Sequence, residues 1–189
     1  MTEFEFELAI GFDPPPAKMV KLMAMYKPST KAVEKLHEGC QIIVLGPPIE
    51  AAAYGLSIAN QFGRAKEKEC PAIAYLDANH FMKMRREDAS FHRSYEGSFD
   101  DALTGVDVLV WGFLSFVSQN VAHEIDAAIN ARLNSDKMNI ITGWNQPTDS
   151  IKLTQEVRND MEQGYPLLGT YATNPMFSYI VSVDGAARG

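Results

Sequence analysis

Residues 46–53 have the length and the opening of a phosphate-binding loop but lack its charged and hydroxyl groups. A working loop reads G-x-x-x-x-G-K-[ST]: its glycines let the backbone wrap the phosphates, its Lys reaches the outer phosphates, and its hydroxyl holds Mg²⁺. The opening is kept, as Gly46, Pro47 and Pro48. Alanines occupy the positions of the second glycine, the Lys and the hydroxyl, in the order Ala51, Ala52 and Ala53. Since Glu50 adds a negative charge there, the segment predicts a site that binds no nucleotide and hydrolyses none.

The elements that must position this segment alternate along the chain. Apolar runs typical of strands cover residues 41–45, 71–76, 106–111, 138–142 and 178–183. Patterns with helical spacing cover residues 50–64, 79–91, 98–103, 117–133 and 150–163. Nearly continuous apolar strands between helices indicate a parallel sheet that is covered on both faces. The sequence therefore predicts a three-layer α/β/α fold.

Large rings follow the predicted strands at the ends where parallel sheets bind ligands. Trp111 and Phe113 stand at the end of the third strand, and Trp144 follows the fourth. These rings are expected to face the place where a charged cofactor would lie. Either they fill a pocket that is no longer used, or they form an apolar contact surface for a partner.

The chain is expected to have two parts. Residues 1–37 are predicted to be an N-terminal extension with two short helices, since apolar residues recur at helical spacing between residues 17 and 38 with a break at Pro28. Three prolines at residues 14–16 mark a boundary ahead of them. Residues 38–189 are predicted to be the α/β core.

Composition limits the classes of function. The 189 residues carry a net charge of −7, which argues against a broad electrostatic grip on nucleic acid. Two basic stretches are compatible with local binding of single-stranded DNA, although runs of basic residues more often form a solvent-exposed surface. No apolar run approaches the roughly 18 residues of a membrane span, and no CxxC pair occurs, so a cytoplasmic location is expected. The basic stretches comprise Lys18, Lys21, Lys27 and Lys31, and Lys83, Arg85, Arg86 and Arg93.

In this order the features resemble the core of the DnaC/DnaI/IstB-type AAA+ ATPases, the bacterial and phage helicase loaders and their transposon relatives. The shared stretches are Gly-Pro-Pro at 46–48, Leu-Ser-Ile-Ala-Asn at 56–60, Val-Asp-Val-Leu-Val at 106–110, Ala-Ile-Asn-Ala-Arg-Leu at 128–133, Asn-Ile-Ile-Thr at 139–142, and a Gly-x-x-Arg ending at 185–188. The resemblance covers about residues 38–188. It implies an AAA+-like parallel sheet of the P-loop type.

The resemblance also implies positions for catalytic groups, and most of these positions have lost them. The Mg²⁺-holding and water-activating carboxylates would fall on Gly112 and Phe113, and a polar sensor would fall on Trp144, with Asn145 adjacent. An ATPase needs both kinds of group to neutralise the phosphates and orient the water. The resemblance therefore implies a pseudo-ATPase with no catalytic residue, cofactor or metal.

Two arginine positions complete the comparison. The arginine finger would fall near Asp160, with Arg158 two residues earlier, and Arg188 keeps its place as a second sensor. The degenerate nucleotide pocket implied in this way comprises Gly46, Pro47, Pro48, Ala52, Ala53, Gly112, Phe113, Trp144 and Arg188.

The implied function is to bind replication machinery rather than to hydrolyse ATP. The expected partner is a replicative helicase or an AAA+ helicase loader, which the protein would recruit or inhibit, and a phage or mobile-element origin fits so reduced a chain. Self-association is also compatible with the resemblance. The extension of about 37 residues is too short for a separate helicase-binding domain, so a helix near residues 19–26 would replace that domain, or the target is not the helicase.

An enzyme of another class is the alternative. Nucleoside deoxyribosyltransferases and N-glycosidases also have a strand that runs into Gly-Pro, and residues 120–125 are similar to the start of their Glu-containing helix. Glu124 would then be the nucleophile and Asp77 an assisting carboxylate. The simpler interpretation is that Glu124 is a solvent-exposed charge on a helix, beside His123.

Overall fold

The computed structural model describes residues 12–65, 71–86, 97–112, 119–143, 171 and 174–183. Within these ranges helices and strands alternate as the apolar patterns predict. In chain order the elements are α1 Ala17–Met23, α2 Thr30–His37, β1 Ile42–Leu45, α3 Pro48–Ala65, β2 Ile73–Asp77, α4 Ala78–Arg86, α5 Phe99–Gly105, β3 Val108–Gly112, α6 Gln119–Asn134, β4 Met138–Gly143 and β5 Tyr179–Ser182.

The described strands form one five-stranded parallel sheet in the order β2-β3-β4-β1-β5. β1 lies between β4 and β5, with Leu45 opposite Gly143. β3 lies between β2 and β4, with Gly112 opposite Asp77. Because all strands run the same way, the carboxyl ends of β1, β3 and β4 lie along one edge of the sheet. This edge brings the segment that begins at Gly46 close to the ends of β3 and β4.

Apolar clusters cover both faces of the sheet. Successive residues of a strand point to opposite faces, so Val108 and Val110 pack with α1, α2 and α3. Leu109 and Trp111 pack instead with α4, α5 and α6. The predicted three-layer α/β/α fold is confirmed.

The first two helices are part of this packing. Met19 and Met23 of α1 and Leu36 of α2 are buried in the same cluster as α3. Ser29 caps α2, because its side chain accepts a hydrogen bond of 3.0 Å from the Ala32 amide. The two predicted short helices are confirmed, and the boundary after residue 37 stays a prediction.

Element bounds differ little from the prediction. The strand predicted at 71–76 lies at Ile73–Asp77, and the helix predicted at 117–133 is described from Gln119 to Asn134. The helix predicted at 150–163 lies outside the described residues. Among the helices that the structure describes, none combines the length and the apolar character of a membrane span.

Candidate functional site

The segment that resembles a phosphate loop is mostly helical. α3 begins at Pro48, two residues after Gly46, and the amide of Ala51 donates to the carbonyl of Pro47 at 2.8 Å. Proline suits the first turn of a helix, since it has no amide to satisfy and its φ is already helical. A phosphate loop instead leaves successive amides pointing at the anion. From Ala51 onward the amides of this segment make helical hydrogen bonds instead.

The three alanines of the segment are fully buried. Ala51, Ala52 and Ala53 each have 0% exposure and belong to the cluster that packs α1, α2 and α3 on the sheet. Ala52 stands where a phosphate loop carries its Lys, and in this structure its methyl group lies among apolar side chains. Among the described residues, position 52 is therefore part of an apolar core.

Gly46 has a packing reason to be glycine. Its amide donates to the carbonyl of Gly143 at 3.0 Å and so joins the ends of β1 and β4. A Cβ atom at Gly46 would lie 2.8 Å from Cγ2 and 3.0 Å from Cβ of Val183. Val183 therefore leaves no room for a side chain, and the glycine is explained without a phosphate.

Gly112, at the end of β3, faces the ring of Tyr75 from β2. A Cβ atom at Gly112 would lie 2.8 Å from Cε2 and 2.9 Å from Cζ of Tyr75, and closer still to its hydroxyl oxygen. Tyr75 is only 5% exposed. In the part of the chain that the structure describes, its hydroxyl has no hydrogen-bond partner. Burial raises the pKa of Tyr75 far above its ordinary value, and the nearby Asp77 carboxylate raises it further.

These residues do not fit ATP with Mg²⁺. The loop segment supplies neither a cation nor a hydroxyl, and Glu50 lies in the first turn of α3. Position 112 has no carboxylate, and the Tyr75 ring occupies the space beside it. Across the described ranges, no group of three or more His, Cys, Asp and Glu side chains could hold a metal ion.

Several predicted site residues lie outside the described residues, so their roles stay predictions. They are Phe113, Trp144, Asn145, Arg158, Asp160 and Arg188.

Trp111 is described, and the expectation that it faces the cofactor position or a partner is wrong. It is 0% exposed. Its ring meets Phe81 edge to face at 5.7 Å, and its Nε1 donates to Oδ1 of Asn139 at 3.0 Å. Since Val110 points toward α3, its neighbour Trp111 must point to the opposite face of the sheet.

A buried polar network escaped the sequence analysis. Arg132 of α6 is 0% exposed and donates to Oδ1 of Asn139 at 2.8 Å. Its guanidinium also donates to three backbone carbonyls, those of Leu103, Val106 and Met138. Burial lowers the pKa of Arg132 to about 9, against the opposing charge of Asp107. The network fixes the end of α5 against β4 and so holds β3 in place.

The helical spacing of apolar residues in α6 could have revealed that Arg132 is buried. Ile125, Ala128 and Ile129 are the buried apolar residues in the part of α6 whose burial is described, and position 132 falls on the same face at spacings of three and four residues. A basic residue on an apolar face indicates a buried, fully hydrogen-bonded guanidinium.

Glu124 and Asp77, the carboxylates of the alternative enzyme, have separate partners. Glu124 accepts a hydrogen bond of 2.8 Å from Nε of Arg85, whose Nη1 also donates to Asp100 at 2.6 Å. Asp77 caps α4, because its Oδ1 accepts a hydrogen bond of 2.8 Å from the amide of His80. Among the contacts of the described residues, none activates Glu124 as a nucleophile.

The basic stretches are divided by the fold. Lys83 and Arg86 of α4 are exposed, whereas Arg85 is held in the ion pairs with Glu124 and Asp100. Arg93 lies outside the described residues. The four lysines of the first stretch are exposed as well: Lys18, Lys21, Lys27 and Lys31.

The fold is that of an AAA+ domain. A crystal structure of the DnaC helicase loader aligns with a TM-score of 0.64 over 88% of this chain and 99% of that chain, at 15% identity. Domain III of the replication initiation protein DnaA from Thermotoga maritima aligns with a TM-score of 0.52 over 91% of this chain and 64% of that chain, at 16% identity. A crystal structure of DnaI covers 95% of this chain and 91% of that chain at 15% identity, with a TM-score of 0.44.

The resemblance to the AAA+ core of a DnaC-type helicase loader is thereby confirmed at the level of the fold. No protein-family model and no curated protein matches the sequence.

Proposed function

We propose that this protein is a non-catalytic, helicase-loader-like protein that binds DNA replication machinery. Its partner is a replicative helicase or an AAA+ helicase loader, which it recruits or inhibits in the cytoplasm. One observation carries the non-catalytic part: α3 begins at Pro48 and buries Ala51, Ala52 and Ala53 where a nucleotide-binding loop would lie.

The physical argument rests on what phosphoryl transfer requires. Catalysis of this reaction is almost entirely positioning and charge neutralisation of the phosphates. The described residues offer a methyl group at Ala52, a methyl group at Ala53 and a ring-filled space at Gly112. Binding of a protein partner does not require the missing Lys, hydroxyl and carboxylate. The same fold can therefore serve as a binding module without them.

The partner class comes from the fold. The helicase loader and the replication initiation protein described above both align with a TM-score above 0.5. Both names point to replication, and that supports replication machinery as the partner. Single-stranded DNA is a weaker candidate because the net charge is −7, and self-association remains compatible with the proposal.

The non-catalytic part is tested by thermal unfolding with and without Mg-ATP. A ligand at 100 times its dissociation constant stabilises the folded state by about 2.7 kcal/mol, which corresponds to roughly 5–11 °C in a domain of this size. We expect no change in melting temperature and no phosphate release. Phosphate release above the rate without protein would refute the non-catalytic assignment, and a reproducible rise in melting temperature with Mg-ATP would refute the expectation that the site binds no nucleotide.

The partner is tested with purified proteins from the same genome. The full chain is mixed with the replicative helicase and, separately, with the AAA+ loader, and complexes are measured by size-exclusion chromatography with light scattering. We expect a stable complex with one of the two, unchanged by ATP, and none with an unrelated acidic protein. Failure to bind either partner would end the proposal.

The alternative enzyme is not proposed, since no described contact favours it. Incubation with deoxynucleosides should release no free base.

A further inference from the structure

The side-chain space of position 112 is filled from the neighbouring strand. We infer that Tyr75 is a built-in plug of the metal side of the former nucleotide site, so that the site is closed by packing as well as by the loss of charge. This inference rests on the proposed function and deepens it, because a plugged site cannot respond to nucleotide.

The sheet register places the two residues to make this contact. Tyr75 is opposite Val110, and Gly112 lies two residues further along β3 on the same face. Diagonal neighbours of this kind are within reach of an aromatic side chain. Tyr75 belongs to the apolar cluster beneath α3, which is the helix that follows the degenerate loop.

The contact makes Tyr75 and Gly112 mutually dependent. Cε2 and Cζ of Tyr75 would lie 2.8 Å and 2.9 Å from any Cβ atom at position 112, distances that real Cβ atoms do not accept. A carboxylate at position 112 could not hold Mg²⁺ while the ring stays in place. A carboxylate restored at position 112 would therefore need the Tyr75 ring to be removed as well. The site is closed by this ring in addition to the missing carboxylate.

The volume of the ring closes the site, and the hydroxyl adds nothing to stability. The Tyr75 hydroxyl is buried and has no hydrogen-bond partner among the described residues, which is unfavourable for the folded state. We therefore expect Tyr75→Phe to leave the melting temperature unchanged or slightly higher.

A double-mutant cycle on the full chain tests the plug. Gly112→Ala is made in the parent, in Tyr75→Val and in Tyr75→Phe, and the melting temperature of each protein is measured by circular dichroism. In the parent, overpacking should lower the melting temperature by about 2–12 °C. In the Tyr75→Val background the same substitution should cost less than half as much, because the clashing ring is absent. Gly105→Ala, in the exposed last residue of α5, is the matched control and should be additive with Tyr75→Val.

The outcomes separate the plug from the proposed function. An equal cost of Gly112→Ala in the parent and in the Tyr75→Val background would overturn the plug, whatever Mg-ATP does to the parent. Phosphate release by the parent, or its failure to bind either replication protein, would overturn the proposed function, whatever the cycle gives. If the Tyr75→Val variant does not fold, Tyr75→Leu takes its place, since it also removes the ring carbons that lie 2.8 Å and 2.9 Å from the added Cβ. An unreduced cost of Gly112→Ala in the Tyr75→Leu background would then overturn the plug.

Discussion

Replacement of Ala52 by Lys is the substitution that would restore the charge of a phosphate loop, and we expect it to destabilise the protein instead. Ala52 has 0% exposure within the cluster under α3. The larger side chain overpacks that cluster, which costs about 1–3 kcal/mol. Burial of the ammonium costs several kcal/mol more. The sum, about 4–6 kcal/mol, is a large part of the roughly 5–15 kcal/mol that stabilises a typical domain.

The assay is urea unfolding at pH 7, with thermal unfolding as a second probe. A loss of this size lowers the melting temperature by roughly 8–24 °C in a domain of about 190 residues. Ala65→Lys is the matched control: it adds the same side chain to the exposed last residue of the same helix. A cation at the end of a helix is mildly favourable, so this variant should keep the parental stability.

The effect of pH provides a second check on burial. A buried ammonium has a pKa below that of the unfolded chain. Its cost is therefore complete below the folded-state pKa, and it disappears as the pH rises toward the unfolded value of about 10.4. The reasoning is refuted if Ala52→Lys is as stable as Ala65→Lys at pH 7. It is also refuted if Mg-ATP stabilises the Ala52→Lys variant, since position 52 would then face a phosphate site.

Two further predictions concern the polar contacts around β3. Arg132→Met should cost about 3–5 kcal/mol in urea unfolding, because it leaves buried carbonyls and Asn139 without their donor; the exposed Arg86→Met should change stability by less than about 0.5 kcal/mol. Asp107→Asn tests the pH dependence: burial raises the pKa of Asp107, but Lys137 and the Ala72 amide outweigh burial and lower the pKa below the ordinary 3.8. A lowered folded-state pKa means that the carboxylate stabilises the fold above about pH 4 and loses this effect as the pH falls through its folded-state pKa. Because the ion pair between Asp107 and Lys137 is partly exposed, Asp107→Asn should be less stable than the parent by roughly 0.5–1 kcal/mol at pH 7. This difference in stability should become smaller in acid.

Each of these two predictions has an outcome that would contradict it. Equal losses from Arg132→Met and Arg86→Met would mean that the buried network does not stabilise β3. A difference between Asp107→Asn and the parent that stays constant from pH 7 to pH 3 would mean that the carboxylate is not held by Lys137.

Much of the fold was predictable because strand and helix patterns are local. Nearly continuous apolar runs predict the strands of a sheet that is covered on both faces, and the five described strands follow the predicted runs. The start of α3 was predicted two residues late. Proline at a first helical position is a recognised start signal, and Pro48 could have corrected the bound.

Part of the candidate site was predictable for a different reason. The absence of a Lys at 52 and of a hydroxyl at 53 is a matter of residue identity, so no structure is needed to know that these groups are missing. The direction of Trp111 was predicted wrongly, because alternation along a strand reverses the face with every residue. Only the position of Val110 under α3 showed that Trp111 points the other way.

The sequence by itself determined which chemical groups positions 46–53 and 112 lack, since side-chain chemistry does not depend on folding. Only the tertiary structure decided what replaced them. The strand order brought Tyr75 beside Gly112 and Val183 beside Gly46, and helix packing placed Arg132 under the end of α5. Such contacts join residues that are far apart in the chain, and they depend on the register of neighbouring strands. A local sequence pattern does not determine this register.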